Sequence, residues 1–282
     1  MSLIFINYAD EAYRKKQNFS IKMAKIFGGV DITIGYKKED IDAAFINKHR
    51  EIINNKKGGG YWLWKPYIIL KTMLNSQLGD YIFYCDSGAF PVARLDVLVK
   101  ELEKNKQDVM GFELPLNEKQ WTKSSVFKCL ATSENINYLK NSNQILASFI
   151  LFKNTKNSQG FVKEWLDVCC TKDLITDVVI NDEEFLIEHR HDQSIFSILY
   201  KINNYIIFKD PSQFGRYPYL YINDIVRKFY RNKIKTTLIE LQQLKYVGEY
   251  GQVIVHYRRS NHIISLFKYI LKTIISKFKN EI

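Results

Sequence analysis

The octapeptide Tyr81-Ile82-Phe83-Tyr84-Cys85-Asp86-Ser87-Gly88 runs five apolar or aromatic residues directly into an acid and two small residues. A short apolar run closed by turn chemistry reads as a buried strand. Its acid is then held at the strand's carboxyl end. Outward from it, Leu3 to Tyr8 (LIFINY) reads as a first buried strand, Asp31 to Ile34 as a second, and Asp108 to Glu113 as a fourth. Helical spacing lies between them, over Ala9 to Phe27, Glu39 to Asn54, Trp64 to Leu78 and Leu95 to Asn105. Gly28-Gly29 and Gly58-Gly59-Gly60 punctuate the pattern, and Pro66 suits a first helical turn. Strand and helix alternate through the first 115 residues. This predicts parallel strands with right-handed crossovers, a doubly wound, Rossmann-like α/β layer. Ligands of such sheets sit at the carboxyl ends of the strands, where Asn7-Tyr8-Ala9 and Asp86-Ser87-Gly88 fall.

The second half is less regular. Ala147 to Lys153, Tyr205 to Phe208 and Gln252 to Tyr257 read as strands, Gly160 to Cys170 and Asp192 to Lys201 as helices. No repeat or long linker separates the halves. The reading is one domain over 1–259 and a tail over 260–282.

The chain has 282 residues and a formal net charge of +11. A basic surplus points to polyanions: nucleic acid, anionic lipid or phosphorylated substrate. No RNP, zinc-finger or helix-turn-helix pattern is present, so nucleic acid is not the expected partner. The four cysteines, Cys85, Cys129, Cys169 and Cys170, form no CxxC pair and are expected as free thiols in a reducing cytosol. Met1 to Asp10 lacks the basic region of a signal peptide. No stretch of ~18 uncharged apolar residues predicts a membrane span.

Four constellations carry the chemistry. Asp86-Ser87-Gly88 puts a carboxylate where a divalent cation could meet a diphosphate, although Asp-Ser-Gly also suits a turn or helix cap. Gly58 to Tyr67 (GGGYWLWKPY) crowds Trp62, Trp64 and Lys65 at a helix start, where anions are favoured; the same tryptophans would serve a core. Glu188 to Ser194 (EHRHDQS) places Asp192 either as an N-cap or as a carboxylate facing a reaction centre, with His189, His191 and Gln193 beside it. Val253 to Arg259 (VIVHYRR) offers His256 as a late-strand metal ligand and Arg258 for phosphate oxygens.

The set YWLWKP, YCDSG, HDQSIFS and VHYR resembles bacterial surface-polysaccharide glycosyltransferases of the A-type, nucleotide-diphospho-sugar transferase fold. It is distantly similar to the family of lipooligosaccharide galactosyltransferases and glycogenins. The resemblance implies a UDP-sugar donor bound through Mn²⁺ or Mg²⁺ at an Asp-x-Asp motif. It places Asp86 at the first acid of that motif, Gly88 where the second would stand, and His256 as the late metal ligand. It also implies that Asn7, Tyr8 and Ala9 line the nucleotide pocket with Ser87, Gly88 and Arg258, that Lys65 touches the donor's sugar or phosphates, and that Asp192 stands near the anomeric carbon. Trp64, Trp121 with Thr122-Lys123, Gln144, His191 and Gln193 fall where the acceptor or donor-sugar pocket is shaped. In an inverting enzyme Asp192 would be the base, and in a retaining one it would orient the sugar or shield positive charge. A carbohydrate- or nucleic-acid-binding protein without catalysis is the competing class.

Asn261 to Lys279 is an amphipathic helix by pattern. Ile263, Ile264, Leu266, Phe267, Ile270, Leu271, Ile274, Ile275 and Phe278 share half the wheel, opposite Lys268, Lys272 and Lys279. Lying on an anionic membrane fits better than spanning it, which suits a lipid-linked glycan acceptor at the cytoplasmic face of the cell membrane. The stripe would equally pack on the catalytic domain or on a second copy in a homo-oligomer.

Overall fold

In the computed structural model, residues 1–178, 184–221, 223, 239–241, 243–257 and 261–280 are described. The strands are β1 (Leu3–Tyr8), β2 (Ile32–Tyr36), β3 (Tyr81–Cys85), β4 (Ala89–Pro91), β5 (Val109–Asn117), β6 (Asn143–Lys153), β7 (Ile207–Phe208) and β8 (Ile254–His256). The first helices are α1 (Arg14–Met23), α2 (Ala43–Lys48), α3 (Arg50–Ile53), α4 (Trp64–Leu74) and α5 (Asp96–Lys104). Between β5 and β6 come α6 (Glu118–Trp121), α7 (Ser124–Leu130) and α8 (Ile136–Asn141). Then follow α9 (Lys156–Cys169), α10 (Lys172–Ile175), α11 (Asp192–Ile202), α12 (Gln213–Arg216) and α13 (His262–Asn280).

The main sheet has the order β2-β1-β3-β6-β5-β7, and β4 pairs with β8 in a two-stranded ribbon. β1 pairs parallel with β2 on one side and β3 on the other. The chain therefore reverses its direction of travel across the sheet between β1 and β3, which opens a crevice at their carboxyl ends. The four strands of the first half, β1, β2, β3 and β5, run parallel as expected, and β6 from the second half enters between β3 and β5 antiparallel to both. The cause is the connection. Asn117 at the end of β5 pairs with Asn143 at the start of β6, so the three short helices return the chain at the same edge, without a crossover.

Strand alternation sorts the core into two layers. Ile4, Ile6, Ile82 and Tyr84 face the side covered by α4, α9 and α11. Leu3, Phe5, Tyr81, Phe83 and Cys85 face the side of α5. α9 begins with a reciprocal cap: Ser158 N–H donates to Thr155 Oγ1 at 3.1 Å and Thr155 N–H donates to Ser158 Oγ at 3.0 Å. It buries Phe161, Val162, Trp165 and Cys169 along one stripe.

Two helix expectations are also corrected. The Glu39–Asn54 stretch breaks at His49 into α2 and α3, in a sequence whose isoleucines and asparagines are weak helix formers. The helix from Trp64 stops at Leu74, because Asn75 turns its side-chain amide onto the Lys71 carbonyl at 2.8 Å.

α13 lies against the body through Leu266 and Tyr269, which pack on Phe90, Val255 and Tyr257. Ile263, Ile264, Phe267, Ile270 and Leu271 face solvent. No described helix is long and apolar enough to cross a membrane.

Candidate functional site

Two backbone features deliver side chains to the crevice. The first is the turn after β3. The Asp86 N–H donates to the Ser148 carbonyl at 2.7 Å, and the Ala89 N–H closes on the Asp86 carbonyl at 2.9 Å. The Ser87 hydroxyl donates to the Tyr8 carbonyl at 2.6 Å, tying this turn to the end of β1. The second is the glycine run before α4. Gly58, Gly59, Gly60, Tyr61 and Trp62 all have positive φ, between 53° and 98°. This is a left-handed turn, rare for L-residues. Gly60 has no alternative there, since a Cβ would stand 2.6 Å from the Ile53 Cα. Tyr61 and Trp62 carry the conformation without a glycine's freedom, a form of strain that concentrates at functional sites.

That turn aims the first turn of α4 at the strand ends. Trp64 donates its indole N–H to the Gly58 carbonyl at 2.9 Å and stacks on Tyr8, with ring centroids 3.9 Å apart. Lys65, one residue on, has its Nζ 2.7 Å from Asp192 Oδ2 and 3.7 Å from Asp86 Oδ1. The Tyr84 hydroxyl donates to the same Asp86 Oδ1. The Lys65 and Asp192 side chains are each 4% exposed, whereas that of Asp86 is 27% exposed. The cluster thus opens to solvent through Asp86.

Burial is the largest influence on Lys65 and pulls its pKa down, but Asp192 and Asp86 together outweigh it and leave the ammonium above the ordinary lysine value. Burial also dominates at Asp192; against the pull of Lys65 it pushes the carboxyl up to about 6. Asp192 is the first residue of α11, with its carboxylate turned to Lys65. His191 before it has φ 55° and ψ −120°, a strained position. Its ring lies beside Tyr61 and Trp62, and its Nδ1 is 2.7 Å from the Ile175 carbonyl. Burial lowers the His191 pKa to about 4, which keeps it neutral.

The structure thus brings Tyr8, Trp64, Lys65, Asp86, Ser87 and Asp192 together. Asn7 is wholly buried, and its side-chain Oδ1 has no hydrogen-bond partner among the described residues. Ala9 is buried and donates its N–H to the Tyr36 carbonyl. The Gly88 carbonyl accepts from the Tyr257 N–H. Arg258 lies outside the described residues. Trp121 is wholly buried, with the Arg190 guanidinium 4.5 Å from its ring centroid. Gln193 donates to Gln144 at 2.7 Å and accepts from the Ala147 N–H at 3.1 Å, and Gln144 donates to Glu118 at 3.1 Å. These two glutamines therefore belong to a buried network behind the crevice. Beside it opens a hollow lined by Lys119, Thr122, Phe127, Lys140 and Phe185.

A divalent metal would need oxygen or nitrogen ligands gathered at one point. Asp86 supplies one carboxylate, whose Oδ1 already takes a hydroxyl and faces an ammonium; Gly88 supplies none. His256 is buried with its ring edge-on to Phe149 and Phe214. No three His, Cys, Asp or Glu side chains gather to hold a metal among the described residues. This donor set does not fit a metal held by the protein's side chains, and a lysine occupies the centre of the carboxylate cluster instead.

Tyr84 was not among the residues singled out from sequence. It stands two before Asp86, so the two-residue period of a strand puts both on one face. The Glu118–Lys201 ion pair, at 2.5 Å, had no local signal, as its partners are far apart in the chain.

No protein-family model and no curated protein sequence matches the chain. Among solved structures the chain is similar to mouse xyloside xylosyltransferase 1, at 9% identity and a TM-score of 0.49, over 90% of this chain and 96% of that one. It is similar to the galactosyltransferase LgtC, solved in complex with donor and acceptor sugar analogs, at 14% identity and a TM-score of 0.45, over 90% of this chain and 86% of that one. A third likeness is to the glycosyltransferase GlyE of Streptococcus pneumoniae TIGR4, at 15% identity and a TM-score of 0.40, over 97% of this chain and 64% of that one.

Proposed function

We propose that this chain is a glycosyltransferase that moves a hexose from a UDP-sugar to a hydroxyl of a glycan or lipid-linked glycan, in the making of a surface polysaccharide. One observation carries the reading: a buried Asp86–Lys65–Asp192 cluster opens, through Asp86, at the crevice where the sheet reverses direction. Two carboxylates against one ammonium leave one net negative charge. Glycosyl transfer builds positive charge on the sugar ring in its transition state. A fixed, partly desolvated carboxylate at that point is worth about 3–4 kcal/mol. Lys65 holds both carboxylates in place, so the charge is set before the donor arrives. The Tyr8–Trp64 stack offers a flat aromatic surface beside it for the nucleotide or the sugar.

The test is release of UDP from a panel of UDP-sugars, with and without Mn²⁺. Asp86→Ala abolishes release while the thermal midpoint holds, since Asp86 is the cluster's open member. Normal turnover in that variant would refute the site.

The outer row of α13 supports a place at the cytoplasmic face of a membrane. Ile263, Ile264, Phe267, Ile270 and Leu271 are exposed, and Lys268 and Lys272 flank them. Apolar side chains enter the headgroup boundary, and each lysine adds about 1 kcal/mol at an anionic surface. The full chain then sediments with anionic vesicles and stays in solution with neutral ones. Equal sedimentation with both would remove the role of the lysines, and sedimentation with neither argues for burial of the row against protein instead.

A further inference from the structure

The seat of α13 and the turn that holds Asp86 share one residue. Tyr257, directly after β8, donates its hydroxyl to the Ser87 carbonyl at 2.8 Å and its N–H to the Gly88 carbonyl at 3.0 Å. Next to them, β8 pairs His256 with Ala89. The two residues after Asp86 are thus gripped by Tyr257 on one side and, through the Ser87 hydroxyl, by Tyr8 on the other. The other face of Tyr257 belongs to the helix seat. Its ring packs with Phe90, 5.5 Å between centroids, in the cluster that Leu266 and Tyr269 cover. His262, in the first turn of α13, stands 6.2 Å from the Tyr257 ring and 4.4 Å from Phe19.

This seat is narrow. Among the described side chains, Leu266, Tyr269, His262 and Lys272, the last over the Tyr217 ring, hold the helix to the body, while five apolar side chains beside them meet water, Phe267 at 69% exposure. A helix whose described half carries a wet apolar row belongs to the low-stability end of a fold. Burying that row in a bilayer headgroup boundary adds the missing stabilisation to the helix and to the seat beneath it.

We propose that Tyr257 is a positioning residue that couples α13 to the donor turn, so that seating the helix on an anionic lipid surface tightens nucleotide binding at Asp86–Gly88. The coupling rests on the reading of this crevice as a UDP-sugar site and of α13 as a surface-binding helix. A ligand that orders one part of a coupled unit lowers the ordering cost for the second ligand.

The experiment titrates UDP calorimetrically into the full chain, alone, with phosphatidylcholine vesicles, and with mixed phosphatidylcholine–phosphatidylglycerol vesicles, with sedimentation run in parallel. The expected result is a gain in UDP affinity of at least about fivefold, the lower end of site-to-site coupling, with the anionic vesicles only. Phe267→Asp removes sedimentation and the gain together. Tyr257→Phe sediments as before but shows no gain. Equal UDP affinity in every arm, in a chain that sediments with anionic vesicles, overturns the coupling. A full gain retained by Tyr257→Phe overturns the role of Tyr257. Absence of UDP binding in all arms overturns the donor-site reading, and absence of sedimentation overturns the surface reading; each takes the coupling with it.

Discussion

Among the described residues, the buried lysines Lys65 and Lys201 each sit against carboxylate, and they differ in how completely they are satisfied. Lys201 donates to Glu118 at 2.5 Å, to Ser142 Oγ at 2.8 Å and to the Asn143 carbonyl at 3.0 Å, which uses all three ammonium protons. Glu118 in turn takes Thr122, Ser197 and Gln144. Lys65 has one close partner, Asp192, a second at 3.7 Å, and the Tyr84 ring 5.4 Å away. Burial, the largest influence on both, wins at Lys201 and lowers its pKa, but loses at Lys65 to two carboxylates. A closed network specifies a fold. An ion cluster with an open edge, beside a strained backbone turn, has capacity left for a substrate.

That contrast is breakable by paired substitution. Lys65→Met removes the centre of the open cluster, and UDP release by the folded fraction falls about 10²–10³-fold, the usual cost of one fixed electrostatic group. Lys201→Met strands Glu118 without its counter-charge and lowers stability by about 3–5 kcal/mol in chemical denaturation. Its UDP release per folded molecule stays at the wild-type level. If Lys65→Met merely lowers stability and keeps turnover, the two clusters are alike and the crevice is not the reaction centre.

The open cluster was legible because each member ends or begins a local pattern. Asp86 follows five apolar residues, Lys65 follows three glycines and two tryptophans, and Asp192 precedes an apolar run. The closed cluster left no such trace. Glu118 lies in a four-residue helix and Lys201 on the far side of β6, so only tertiary packing joins them. The same holds for the direction of β6, whose apolar run reads alike either way. Glycines 58–60 announced positive φ, but nothing in the sequence said that Tyr61 and Trp62 would continue it.

The glycine run sharpens the comparison at smaller scale. At Gly59 (φ 58°) an added Cβ finds its nearest neighbour 3.7 Å away, so Gly59→Ala costs only the left-handed penalty, about 1–2 kcal/mol. At Gly60 (φ 98°) the Cβ would meet the Ile53 backbone at 2.6 Å, so Gly60→Ala must move the turn that aims Lys65. A greater loss of thermal midpoint than at Gly59, with reduced UDP release in the folded fraction, is expected. Equal effects at the two positions would detach the turn from the site.

The smallest effect, and the most specific, is in pH. Burial raises Asp192 from the ordinary carboxylate value of 3.8 to about 6, and the proposed role of Asp192 calls for the ionised form. UDP release therefore falls as pH drops below about 6, approaching about tenfold per pH unit. Stability moves the other way for this residue. The folded form holds the proton more tightly than the unfolded chain, so protonation between 6 and 3.8 favours the fold, and the lost activity is not unfolding. Lys65 is what restrains the rise at Asp192, so the residual activity of Lys65→Met carries its acid limb at higher pH. Lys201→Met, in the closed network, leaves the limb where it was. A limb that shifted equally in both variants would show that Asp192 answers to the charge of the whole interior rather than to the ammonium 2.7 Å away.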